Sequence, residues 1–170
     1  IVMSVAYPPF FIGRGFSVAE AGWFLSLGGL AGLVGKSCLA WWGDAVRHWA
    51  KWLVAGLLVM QIVWLGLLYT ATDAWEVVVA LALQGFANGA FIPMHPYLNS
   101  RYFDAGINSQ VTGAQMPLFL PLGLTGAPLA GYVYDRTGSY DVVLLALAAA
   151  LAVAALLVAR LPVARIQHPQ

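Results

Sequence analysis

One charged side chain, Lys36, stands in the middle of an apolar run of this 170-residue chain, eight residues before Asp44. On a helix rising 1.5 Å per residue that is about 12 Å of depth. Lys36 shares a helical face with Gly29 and Gly32, so it points toward protein rather than lipid. A lysine at the centre of a membrane helix costs at least ~2.5 kcal/mol, and such a charge is a functional candidate that calls for a partner. The seven Asp and Glu residues all fall in loops or at span ends, so none is at matching depth. An ammonium beside a cavity with no acid to pair is a site for an anion. The competing reading is snorkelling, in which the long stem carries the charge toward headgroups five residues on, at Trp41.

A second constellation is polar but uncharged. Gln84, Asn88, His95 and Asn99 are spaced by 4, 7 and 4 residues, which at 100° per residue confines them to an arc of about 60°. They are either interhelical hydrogen-bonding groups, worth ~0.6 kcal/mol per pair, or the wall of a cavity. With Lys36 as counter-charge, Tyr7, Gln84, Asn88 and Gln115 are the expected substrate-binding residues, donating hydrogen bonds from the cavity lining. Asp44 with Arg47 is a gating ion pair or an interfacial salt bridge worth under ~1 kcal/mol. His95 reads as a packing residue rather than a metal ligand, and Cys38 as a small apolar filler. No Ser/His/Asp set, HExxH or P-loop occurs, so nothing supports enzyme chemistry, a metal or a cofactor.

The elements that hold these residues follow from composition. The chain is 61% hydrophobic and 9% charged, with a mean hydropathy of +0.80, against roughly 25% charged residues in soluble domains. Disorder is excluded by the same figures. With a net charge of +1 and no basic cluster, nucleic-acid binding is excluded too. The single cysteine leaves no disulfide framework. Apolar runs of helical length, without strand alternation, point to an all-α integral membrane protein whose main partner is the lipid bilayer.

Charged patches divide the chain into spans at about 19–42, 52–70, 77–97, 111–134 and 142–161, after a partial one at about 1–12 that reads as the tail of a helix whose beginning is missing. Each full span is near the ~20 residues that ~30 Å of hydrocarbon needs. Lys36, Arg47, Lys51, Arg101, Arg160 and Arg165 fall on one side, and Arg14 and Arg136 on the other. Six bases against two put the C-terminus in the cytoplasm of a multi-pass protein in the cytoplasmic (inner) membrane. The spans at 52–70 and 142–161 are plain and suit lipid. The other three carry Gly, Pro and amides, and broken polar helices belong against protein or a wet cavity. Gly28/Gly32 is a GxxxG pair that allows close helix contact, and the span at 77–97 carries Gly85/Gly89. A shift of 91 lays Gly15, Gly22, Gly32, Gly35 and Asp44 onto Gly106, Gly113, Gly123, Gly126 and Asp135, a repeat whose copies run in opposite directions.

The stretch PPFFIGRGFSVAEAGWFLSLGGLAGLVGKSCLAWWGD resembles the end of helix seven, the loop and helix eight of a major facilitator superfamily transporter. YLNSRYF resembles the end of helix ten, and LTGAPLAGYVYDRTGSYD the helix eleven to twelve junction common in monocarboxylate-transporter-like members; the chain as a whole is similar to those and to oxalate/formate-antiporter-like members. The resemblance covers essentially the whole chain but only the C-terminal half of the family fold. It implies a twelve-helix rocker switch whose missing N-terminal half is this chain's partner, carrying a small organic anion, a monocarboxylate. The rival expectations are an exporter of neutral or cationic drugs and a non-transporting scaffold. Lys36 falls where such carriers place a substrate-binding arginine, and Asp135 and Arg136 of YDRTGSY fall at a gating or structural position. There are departures: lysine offers a point charge instead of a fork, and Gly32 stands where proton-coupled relatives have an aspartate. Gln115 replaces the lysine of dicarboxylate exchangers, and Ala45 follows Asp44 where arginine is usual.

Overall fold

The computed structural model describes the backbone of residues 2–43, 45 and 47–162, and the side chains of these except 2–6, 47, 105 and 122. The described residues form α1 (Val2–Gly13), α2 (Val18–Trp42), a 3-10 turn at Arg47–Trp49, α3 (Ala50–Thr70), α4 (Ala74–Tyr102), α5 (Ala105–Thr137) and α6 (Asp141–Arg160). Helices α2 to α6 are each long and apolar enough to cross a membrane. The all-helical membrane architecture expected from composition is therefore the one observed.

Local chemistry explains the ends. The Ser17 hydroxyl accepts from the Glu20 backbone N–H at 3.2 Å, and the Glu20 carboxylate accepts from Ser17 N–H at 2.8 Å, a capping box that starts α2. Gly15, at φ 90°, makes the turn ahead of it. Glu76 does the same for α4 by accepting from Thr72 and Asp73 N–H. Gly138, at φ 71°, ends α5 and returns its N–H to the Tyr134 carbonyl at 2.7 Å.

Two cations finish helices that are not their own. The Arg14 guanidinium donates to the carbonyls of Leu68 (2.8 Å), Ala71 (2.9 Å) and Tyr69 (3.2 Å), satisfying the exposed end of α3. The Lys51 ammonium, at the start of α3, donates to Leu161 O at 2.7 Å and Ala159 O at 3.3 Å. The start of α3 thus meets the end of α6, and the two run antiparallel.

Helix α4 is the hub, packing against both α2 and α3, and α6 packs in turn on α3. The plain helices do lie away from α2, but α3 is more than a lipid-facing cover. It buries Val54, Leu57, Leu58, Trp64, Leu65 and Leu68, and its Gln61 is satisfied by the Trp64 indole N–H at 2.7 Å. The rings of Tyr7, Phe10, Phe11, Phe16 and Phe24 pack on one another, and the Arg14 guanidinium lies 4.6 Å from the Phe10 centroid.

Two expectations change. Helices α4 and α5 run unbroken through Pro93, Pro96, Pro117, Pro121 and Pro128 instead of being interrupted. They also extend past the apolar spans, so that 98–102 and 105–110 are helical. Nothing in those flanks forbids helix, and charge marks where lipid would end rather than where hydrogen bonding does. The 91-residue shift carries α3 onto 141–161, within a residue of α6, and α2 onto 109–133, inside α5.

Candidate functional site

The contact between α2 and α4 is made by backbone. A Cβ on Gly85 would collide with the Gly28 carbonyl, one on Gly89 with the Gly32 carbonyl, and one on Gly35 with the Phe86 carbonyl. The two GxxxG pairs therefore mesh backbone to backbone, in the same chain direction on both helices, with the small Ala31 side chain beside Gly85. Where the backbones touch, the polar side chains flanking the glycines must lie beside the seam, and there they line a cavity of about 280 Å³.

Tyr7, Lys36, Gln84 and Asn88 all border that cavity, with Gly28, Gly29, Gly32 and Ile92 among the other lining residues. Among the described residues nothing hydrogen-bonds or ion-pairs with the Lys36 ammonium, and the amides of Gln84 and Asn88 are likewise unengaged. Tyr7 is 3% exposed, stacked on Phe11 at 5.7 Å and edge-on to Trp64 at 6.2 Å. Its hydroxyl is buried without a hydrogen-bond partner. Buried hydroxyls nearly always find one, so a donor held at a cavity wall by ring packing is poised for something that enters. Chemically the cavity offers one cation and neutral donors, the complement of an anion.

Gln115 is not part of this cavity. Its Oε1 accepts from Asn99 Nδ2 at 2.7 Å, and its Nε2 donates to Asn99 Oδ1 at 3.4 Å, while Asn99 Nδ2 also reaches Thr112 Oγ1 at 3.3 Å. This reciprocal amide pair ties α4 to α5. His95 packs edge-on against Phe119 of α5, centroids 5.6 Å apart. The polar arc of α4 is therefore shared out: its first half faces the cavity beside α2 and its second half meets α5. Cys38 borders a separate apolar cavity of about 180 Å³ between α2, α3 and α4. Asp44 and the Arg47 side chain lie outside the described residues. Asp135 and Arg136 are exposed at the end of α5, with the Arg136 guanidinium 5.1 Å from the centroid of the Tyr132 ring.

Lys36 has a second neighbour that the sequence does not announce. It and Ile92 also border a cavity of about 480 Å³ walled by Leu39, Ala40, Pro93, Met94 and Tyr97 and extending to Gly43. Apolar residues facing a cavity and apolar residues facing lipid read alike in a sequence, so only the fold separates them. Lys36 is thus shared by two cavities of different lining.

The family model described as Major Facilitator Superfamily matches residues 1–169. The chain belongs to the major facilitator superfamily. The rat protein "Monocarboxylate transporter 13" is 30% identical over 126 residues, 74% of this chain and 29% of its own length. The bovine protein of the same name is 32% identical over 130 residues, 74% of this chain and 30% of its own length. The chain thus spans under a third of the length of these curated relatives. No solved structure matches it. Membership in this superfamily makes the chain a multi-pass membrane protein of a transporter family, and points to transport rather than to enzyme chemistry.

Proposed function

We propose that the chain is the C-terminal six-helix half of a secondary transporter that moves a small organic anion, a monocarboxylate, by alternating access. The observation that carries the proposal is the Lys36 ammonium, unengaged among the described residues and bordering a cavity with the unsatisfied Tyr7 hydroxyl and the Gln84 and Asn88 amides. Two relatives named monocarboxylate transporters add to it. The carboxylate would take the place of the missing acid, forming a charge-assisted hydrogen bond worth about 1.5–3 kcal/mol. The amides and phenol would take the remaining lone pairs.

In this reading the two halves rock against each other around the anion. The meshed glycines keep α2 and α4 moving as one body, since any separation would open backbone to lipid. The six-to-two bias in bases supports a cytoplasmic C-terminus and a cytoplasmic Asp44–Lys51 loop, in the inner membrane.

The test is Lys36→Gln in the full-length protein, reconstituted in proteoliposomes with labelled short-chain monocarboxylates. Losing a bond of that strength lowers affinity about 10- to 150-fold, with membrane insertion unchanged. Uptake equal to wild type would leave Lys36 a snorkelling residue and end the anion reading.

A further inference from the structure

The larger cavity beside Lys36 gives the substrate a second end. We propose that the anion is amphiphilic: an aryl or medium-chain alkyl monocarboxylate whose head meets Lys36 and whose apolar tail lies along Leu39, Ala40, Pro93 and Met94. The proposal rests on Lys36 as the anion site and adds the class of molecule that site takes.

Polarity along the α2–α4 groove changes at Lys36. On one side Tyr7, Gln84 and Asn88 stand among Phe24, Leu25, Leu33 and Leu81, around about 280 Å³. On the other, about 480 Å³ is bounded by side chains of which only Lys36 and the Tyr97 phenol are polar. Lys36 and Ile92 border both, so the two spaces adjoin along these two residues. A two- or three-carbon acid has the bulk of a few water molecules, on the order of 100 Å³ at ~30 Å³ each. It fills the polar side in part and leaves the apolar side empty. Each space approaches or falls within the ~300–1,000 Å³ of pockets that hold drug-sized ligands. An apolar wall gains nothing from a carboxylate, whereas each methylene laid against it tightens binding about fourfold. An apolar compartment adjoining a cation is thus matched by a hydrocarbon tail joined to a carboxylate. A dicarboxylate would place a second charge against Leu39, Pro93 and Met94 with nothing to pair it, and is disfavoured.

The experiment measures binding of radiolabelled n-alkyl carboxylates, acetate to octanoate, and of phenylacetate, to the full-length protein in lipid nanodiscs, with empty nanodiscs as the blank for partition. The expected result is a several-fold gain per methylene over at least the first three or four methylenes. Ala40→Phe, which fills the apolar side, should remove that dependence on chain length. A flat series in the wild-type protein, or a slope no steeper than that of empty nanodiscs, overturns the proposal even if Ala40→Phe fails to assemble. Lys36→Gln separates the two readings. If it abolishes binding of acetate and octanoate alike while the wild-type series is flat, the anion site stands and the tail compartment falls. If it changes neither, the anion site itself falls.

Discussion

Replacing Gly89 with alanine adds one methyl group at the point where α4 meets the Gly32 carbonyl of α2. That methyl lands within van der Waals contact of the Gly32 carbonyl oxygen, its carbon and its Cα, all of them backbone atoms that no rotamer change can move aside. The helices must separate, and overpacking of this kind costs about 1–3 kcal/mol. Each kcal/mol shifts the melting midpoint of a 150–250-residue domain by about 2–4 °C and that of a longer chain by less, so Gly89→Ala should lower the midpoint of the full-length protein by at most several degrees. The control is Gly29→Ala, on the same helix pair and the same cavity, where a Cβ meets nothing within 4 Å. Alanine should be neutral or slightly stabilising there, because it removes backbone freedom from the unfolded chain. Thermal unfolding of the purified full-length protein, read by tryptophan fluorescence, compares the two. Equal midpoints for Gly89→Ala and Gly29→Ala would refute the meshed crossing, and with it the reason the cavity lies where it does. Gly85→Ala, against the Gly28 carbonyl, should behave as Gly89→Ala does.

Other positions give sharper discrimination between fold and function. Arg14→Gln removes three bonds from a cation to the end of α3, so the melting midpoint should fall and hydrogen exchange at residues 68–71 should rise at least tenfold, while Arg14→Lys should restore part of both. Asn99→Leu breaks the amide pair between α4 and α5, costing about 0.6–1.7 kcal/mol in stability; anion affinity should stay within twofold of wild type, and a tenfold loss would place that pair in the binding site after all. Lys36→Arg keeps the charge but replaces a mobile point charge by a rigid fork, so anion binding should survive while turnover in an uptake assay drops; unchanged turnover would argue against any need for a flexible stem.

Much of the architecture was open to a reader of the sequence because lipid imposes a blunt constraint. Runs of about twenty apolar residues separated by charges have few other fates, and the glycine pairs on α2 and α4 announce a close crossing without saying with which helix. Helix ends were less legible. Arg101 and Asp104 mark an interface, yet α4 and α5 are interrupted only at residues 103 and 104, since polar residues continue a helix as well as apolar ones do. The prolines misled in the same way: in α4 and α5 the chain stays helical around them.

The candidate site was legible where polar residues had no local use. Lys36, Gln84 and Asn88 border one cavity because the seam of glycines puts them beside it, and α1 brings Tyr7 to its wall. Gln115 differs because its partner, Asn99, lies on another helix sixteen residues back, a pairing that spacing cannot express. Arg14 read as an ordinary loop charge, though it finishes α3 from more than fifty residues away.

Lys36 follows directly on Gly35, whose backbone is locked against the Phe86 carbonyl. The anchor of the side chain is therefore among the most fixed points of the α2–α4 seam, whereas the ammonium, at the end of four methylenes, is free to serve either neighbouring cavity. A rigid base with a mobile charge suits a carrier. Under the proposed anion reading, such a site would have to hold its ligand strongly enough to load it and loosely enough to release it, and a bidentate fork would deepen the well on one geometry alone. The departure from arginine at this position is thus consistent with the two-compartment groove around it. A ligand with one charged and one apolar end can keep its head on Lys36 while its tail changes surroundings, so the charge need not be desolvated anew as the halves move.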